Sequence, residues 1–272
     1  MLTTARFAAV FAAAALLFPA TAFADTNISA AGSTALQPLV TAAAGDYQAK
    51  HSDTKISVTG GGSRTGLGLV ASKAVDLGDS DILAPNQPNL VDHRVAVIGF
   101  AIVTNPDIGV KNLSKKQVQD IFSGKVKNWK DVGGKDEPIT VINRPASSGT
   151  RAVFMKTLMG GTTLDQNTLT EDATGTVVQK IKQTAGSVSY AAFSGTHNQT
   201  GIAEVSIGGA AADDANVQSG KYPFWSYEHI YTNGQPSKEV SDFIDFLKSS
   251  KALLMKTGYI PVGDMKVTEN DR

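Results

Sequence analysis

Residues 94–106, RVAVIGFAIVTNP, form the longest apolar run after the N-terminal leader. Their β-branched content and the Asn105-Pro106 stop predict a strand buried on both faces. Around it, strand-like and helix-like segments alternate, which argues for α/β layers. STALQPLVTAAAGDYQAK sets Leu36, Leu39, Val40, Ala43, Ala44 and Tyr47 on one helical face, with Ser33 and Thr34 as candidate N-caps. KISVTGGGS reads as a strand running into glycines, RTGLGLVASKA as a helix weakened by Gly66 and Gly68, and AVDLGDSDI as a short strand with a polar exit. LSKKQVQDIFSG carries a capping box, Ser114 and Gln117, and a closing Gly124. PITVINR and SVSYAAF read as strands, and TRAVFMKTLMG and TVVQKIKQTAG as helices. In the last helix Val240, Phe243, Ile244 and Leu247 share a face. The pattern predicts two α/β lobes, residues 25–103 with 226–272 and residues 104–225. The crossings fall near Thr104 and near Tyr222–Tyr231, where Pro106 and Pro223 interrupt it.

The leader has the marks of export. Arg6 gives a basic start, Phe7 to Phe18 an apolar run, and Ala22-Phe23-Ala24 an A-x-A cleavage site. The run is shorter than the roughly 20 residues that span a bilayer. Residues 1–24 are therefore expected to be a signal peptide cleaved after Ala24, with the mature chain starting near Asp25. There is no cysteine, which excludes disulfides, thiolate metal sites, a Cys nucleophile and a lipid-modified Cys. An exported chain without a lipid anchor fits a periplasm. The sequence carries 25 basic and 25 acidic residues, so no global pull toward nucleic acid or anionic lipid exists.

Four stretches share one design, an extended segment followed by a polar small-residue turn and usually a helix. They are AGSTAL (31–36), GGGSRTG (60–66), LGDSDIL (77–83) and NRPASSGTR (143–151). Ser33, Thr34, Ser63, Ser148 and Thr150 each suit an ordinary N-cap, a role that stabilises by about 1 kcal/mol. Several such starts together with Arg144 favour a convergent oxyanion pocket instead, because helix N-termini present free N–H groups and positive dipole ends. No catalytic alternative has comparable support. His51, His93, His197 and His229 lack metal-ligand spacing, and GGSRTGLG is not a P-loop because Leu67 stands where Lys is required. The SDTK tetrapeptide (52–55) bridges a helix and a strand, and no G-x-S-x-G elbow occurs. Neither an enzyme nor a cofactor or metal is expected.

AGSTAL, TGGGSRTG, VDLGDSDIL, IFSGKVKNW, SSGTR, YTNGQPS and GYIPV follow one another over nearly the whole chain after the leader. In that order and spacing the sequence resembles the periplasmic phosphate-binding proteins, the substrate-binding components of high-affinity phosphate ABC importers. The resemblance implies an α/β, two-lobed periplasmic binding protein fold of type II with the anion in the interlobe cleft. It implies that Thr34 contacts phosphate through hydroxyl and backbone and that Ala35 adds its N–H. Ser63 would supply a hydroxyl, Asp81 would accept the phosphate proton, and Arg144 would be the binding cation. Ser148, Gly149 and Thr150 would form a helix-start donor cluster, with Arg151 bracing Asp81 or the cleft wall. Ala35 stands where longer family members have an aromatic, and AGSVSYAAF lacks the usual Ile-Gly before Tyr190. The expected partners are inorganic phosphate and a membrane permease, and the expected state is a monomer that closes at a hinge.

The nearest alternative is a binding protein for sulfate, molybdate or an organophosphate. A buried Asp81 argues against the unprotonated anions, since an ionised carboxylate only accepts hydrogen bonds and repels a ligand that brings no proton. A site built to receive a ligand proton rejects isosteres lacking it by roughly 10⁴-fold to 10⁵-fold.

Overall fold

A computed structural model describes residues 26–269, so the expected signal peptide lies outside the described residues. The first half of the chain runs β1 (Thr26–Gly32), α1 (Gln37–Gln48), β2 (Thr54–Thr59), α2 (Ser63–Ala71), β3 (Leu77–Ser80), β4 (Leu90–Thr104), β5 (Asn112–Leu113), α3 (Lys115–Phe122), β6 (Thr140–Asn143) and α4 (Gly149–Phe154). The second half runs β7 (Leu169–Thr170), α5 (Thr174–Gln183), β8 (Ser187–Ala192), α6 (Phe193–Thr196), β9 (Ala203–Ile207), α7 (Asp214–Gln218), β10 (Trp225–Asn233), α8 (Lys238–Ser249) and α9 (Lys251–Lys256). Among the described residues no helix is long and apolar enough to cross a membrane.

The long apolar run is the spine of the molecule. In β4 every residue from Val95 to Thr104 is buried. The strand order is β2-β1-β3-β10-β4-β8-β6-β7, with β9 on β4 and β5 on β9. β4 changes partner along its length. Leu90 to Gly99 ladder antiparallel with β10, and Phe100 to Thr104 ladder with β8. One strand therefore serves both halves of a two-lobed α/β fold. Gly99 sits at that change, where a Cβ would lie 2.1 Å from the Phe193 ring, so only glycine lets the ring pack on the strand. The stretch after Pro223, read from sequence as a crossing, is the central strand β10, nearly all of it buried.

The helices follow the apolar periodicity. α1 buries Leu39, Val40, Ala43, Ala44 and Tyr47 against the sheet, each large side chain contributing about 1.5–3 kcal/mol. The Ser114–Gln117 capping box forms as the spacing predicts. Two predicted helices are interrupted. α4 passes into a π-helical turn, Met155–Met159, that ends at Gly160 with φ 56°. The last helix breaks at Ser250, whose hydroxyl donates to the Phe246 carbonyl at 2.6 Å, giving α8 and α9. Tyr190, despite its altered flank, packs fully: it is 0% exposed and stacks on Phe154 at 4.2 Å between ring centroids.

Candidate functional site

β1, β2, β3 and β6 all run into polar turns at one edge of the sheets, and that edge becomes the site. β1 and β3 are parallel neighbours, so their exits meet, and the Ser33 N–H donates to the Asp79 carbonyl at 2.9 Å. Gly32 makes this approach possible: its φ is +144°, and a Cβ there would lie 2.1 Å from that carbonyl oxygen. Ser33 caps the turn rather than α1. Its hydroxyl oxygen accepts the N–H groups of Ala35 (3.0 Å) and Leu36 (3.1 Å), and its own proton goes to Asp81 Oδ1. Ser63 is the first residue of α2, and its hydroxyl oxygen accepts the Asp81 N–H at 2.9 Å. Asp81 is thus held by main chain and side chain together.

The opposite wall comes from β6 and α4. Tyr190 Oη donates to Asn143 Oδ1 at 2.6 Å, and the same oxygen accepts the Arg144 N–H at 2.8 Å. Of the two expected roles for Arg151, bracing Asp81 or the cleft wall, the structure shows the second: its Nη1 donates to the Arg144 carbonyl at 2.8 Å. Arg144 therefore leaves its strand with its main chain fixed on both sides. Its Nη2 donates to Thr34 Oγ1 at 3.1 Å and to the Asp172 carbonyl at 2.9 Å. Its Nε and Nη1 are buried without a hydrogen-bond partner among the described residues. Ser148 is the N-cap of α4, accepting the Arg151 N–H at 3.1 Å, and the Thr150 hydroxyl donates to Asp81 Oδ2 at 2.9 Å. Gly149 is pressed against the facing wall, where a Cβ would sit 2.0 Å from Ser63 Oγ. The Arg64 N–H donates to the Ser147 carbonyl at 3.1 Å beside it.

All eight residues singled out from the sequence come together: Thr34, Ala35, Ser63, Asp81, Arg144, Ser148, Gly149 and Thr150 are buried in one place. Three buried guanidinium N–H groups without acceptors face a carboxylate that already accepts several donors. Burial pushes the Asp81 carboxyl above the usual range, against the hydrogen bonds from Ser33 and Thr150 and the charge of Arg144. Burial likewise lowers the Arg144 guanidinium, against the charges of Tyr190, Asp81 and Asp172. A tetrahedral anion carrying a proton satisfies both sides at once, supplying oxygens to Arg144 and a proton to Asp81.

Comparison with known proteins identifies the family and the fold. Residues 19–251 match the model of the PBP superfamily domain. The phosphate-binding protein PstS of Bacillus subtilis is 44% identical over 255 residues, covering 91% of this chain and 84% of the relative. The chain belongs to the PstS family of phosphate-binding proteins. A Clostridium perfringens structure described as a phosphate ABC transporter substrate-binding protein with bound phosphate superposes with a TM-score of 0.83 at 26% identity. It covers 87% of this chain and 100% of its own. An ABC-type phosphate transport receptor from Vibrio cholerae superposes with a TM-score of 0.70 at 27% identity, covering 86% and 99%.

In this PstS-family chain the fold adds residues that sequence patterns did not mark. Thr174, at the start of α5, donates its N–H to Thr34 Oγ1 at 3.3 Å, and its own buried hydroxyl has no partner among the described residues. Asp79 and Glu228, each 0% exposed, lie beside Asp81. Burial and the neighbouring carboxyl groups push both acids well above the usual range. Asp79 was legible in part, because alternation along LGDSD puts Asp79 on the same side as Asp81, which follows the end of β3. Glu228 interrupts the otherwise apolar and aromatic FWSYEHIY, but only strand pairing shows which wall it joins.

Proposed function

We propose that this chain binds inorganic phosphate between its lobes and delivers it to the membrane permease of a phosphate ABC transporter. The observation that carries the reading is the convergence of buried, unpartnered Arg144 N–H donors with one buried acceptor, Asp81, which Thr150 joins to the opposite wall at 2.9 Å. The PstS relatives and the phosphate-loaded Clostridium structure support the same ligand. Thr34, Ser63, Arg144, Ser148, Gly149 and the Thr150 main chain supply the donors, Ala35 lines the site with its N–H held by Ser33, and Asp81 takes the ligand proton. The lobes cross where β4 changes partner from β10 to β8, and the protein works as a monomer closing there. It is a binding protein rather than a catalyst, exported by a leader cleaved after Ala24 and acting in the periplasm. The test is calorimetric titration of the ligand-stripped protein with phosphate, arsenate and sulfate. Tight phosphate binding with sulfate silent is the expected result, and sulfate binding as well as phosphate would remove the reading.

A further inference from the structure

Three buried carboxyl groups share one face of the central sheet. Asp79 lies in β3 and Asp81 one residue past its end, and β10 runs antiparallel beside the strand with Ile230 opposite Asp79 and His229 opposite Ser80. Extended by one residue, that register sets Glu228 opposite Asp81, so the two buried carboxyl groups are neighbours on one face. Glu228 has no hydroxyl or N–H donor for either oxygen among the described residues. The groups facing it are Asp79 and Asp81 from β3, Tyr259 beyond α9, and on its β4 side Ala96, which carries no charge. Arg144 reaches this cluster only through Asp81. His229 points to the other face, where it pairs with Asp92 at 2.7 Å. Three ionised carboxylates against one guanidinium would leave a buried negative excess beside an incoming anion. Two carboxylate oxygens can bond each other only through a proton.

We propose that Glu228 is a positioning residue of the anion site, standing as a carboxylic acid that donates its proton to Asp81 and leaves Asp81 one acceptor position for the ligand. This rests on the reading that phosphate binds at Asp81. A carboxylate offers about four acceptor positions. The hydroxyls of Ser33 and Thr150 take two, and the Glu228 proton would take a third. The fourth is left for a ligand proton. The Glu228 donor also opposes burial and keeps Asp81 ionised, and an ionised Asp81 is what rejects an unprotonated anion such as sulfate. Without that donor Asp81 would take up a proton itself as pH falls, becoming a donor toward sulfate and losing its grip on phosphate.

Two measurements test this. In ligand-free parent protein with glutamate side-chain carboxyls labelled with ¹³C, one signal should keep a carboxylic-acid shift at about pH 7, where ordinary glutamates are ionised. That signal needs no variant to be seen, and it should vanish in Glu228→Gln. Every glutamate ionised at that pH would overturn the proposal whatever the anion, whereas a parent that binds no phosphate would overturn the functional reading alone. In competition assays Glu228→Gln, which keeps an N–H donor, should hold the parent's affinity within about threefold, its pH profile and its sulfate rejection. Glu228→Leu should lose affinity relative to the parent by roughly a further 10-fold between about pH 8 and about pH 5, while admitting sulfate. Identical profiles for the two variants, or phosphate bound 10-fold tighter by Glu228→Gln, would overturn the assignment.

Discussion

Replacing Arg144 by alanine isolates the electrostatic half of the site. The guanidinium spends Nη2 on Thr34 and the Asp172 carbonyl, so Nε and Nη1 remain for the ligand. A two-point contact to phosphate oxygens, at about 1.5–3 kcal/mol per charge-assisted bond, corresponds to about 3–6 kcal/mol. Arg144→Ala should therefore weaken phosphate binding by roughly two to four decades. Ligand-free stability should fall as well, because the substitution leaves the buried Asp81 carboxyl without its counter-charge. Calorimetry gives the affinity, and thermal unfolding at fixed phosphate gives an independent reading. At about 1,000 times its Kd, phosphate should stabilise the parent by about 4 kcal/mol, and the variant should gain about 1.4 kcal/mol or less at that same concentration. Arg64→Ala is the control, since Arg64 is exposed and its hydrogen bond to Ser147 uses the main chain. Equal losses in the two variants, or a loss under about 10-fold for Arg144→Ala, would refute the argument.

Three further outcomes follow from the same geometry. Asp81→Asn should relax selectivity more than it lowers phosphate affinity, because the amide keeps an acceptor, adds a donor and removes the charge that repels sulfate; an unchanged sulfate-to-phosphate competition ratio at constant ionic strength would contradict it. Gly149→Ala places a methyl group where Ser63 Oγ now stands 2.0 Å away, so it should prop the lobes apart and weaken phosphate binding at least roughly 10-fold. Small-angle scattering should then show no contraction on adding phosphate, whereas the parent contracts. Asp79 holds its proton in the folded state well above the usual carboxylate range and loses it in the unfolded chain. A raised folded value means that stability is full below the ordinary carboxylate pKa, about 4, and declines as pH rises through the folded value. Asp79→Asn should remove about one proton, about 1.4 kcal/mol per pH unit, from the slope of ligand-free stability against pH in that window. Parallel curves for parent and variant, measured by denaturant unfolding, would show that Asp79 is ionised in the folded protein.

The local chemistry of this site was legible in the sequence because it is written in short segments. The turn after each strand needs small polar residues whatever surrounds it, so AGSTAL, GGGSRTG and SSGTR announced their N–H clusters, and Arg144 stood out as a cation ending an apolar strand. The apolar run of β4 likewise required layers on both faces. What the sequence could not specify was pairing over long separations. The stretch after Pro223 carried the residues of a strand, but its place between β3 and β4 is set by hydrogen bonds to residues more than a hundred positions away. That placement alone brings Glu228 to Asp81. Whether Arg151 would brace Asp81 or the cleft wall also depended on where α4 packs, and the fold sets it on the Arg144 carbonyl. Hydrogen-bond periodicity and turn chemistry act within a few residues and so can be read along the chain. The state of a buried carboxyl depends on which distant charges the fold assembles around it, and only the tertiary structure decides that.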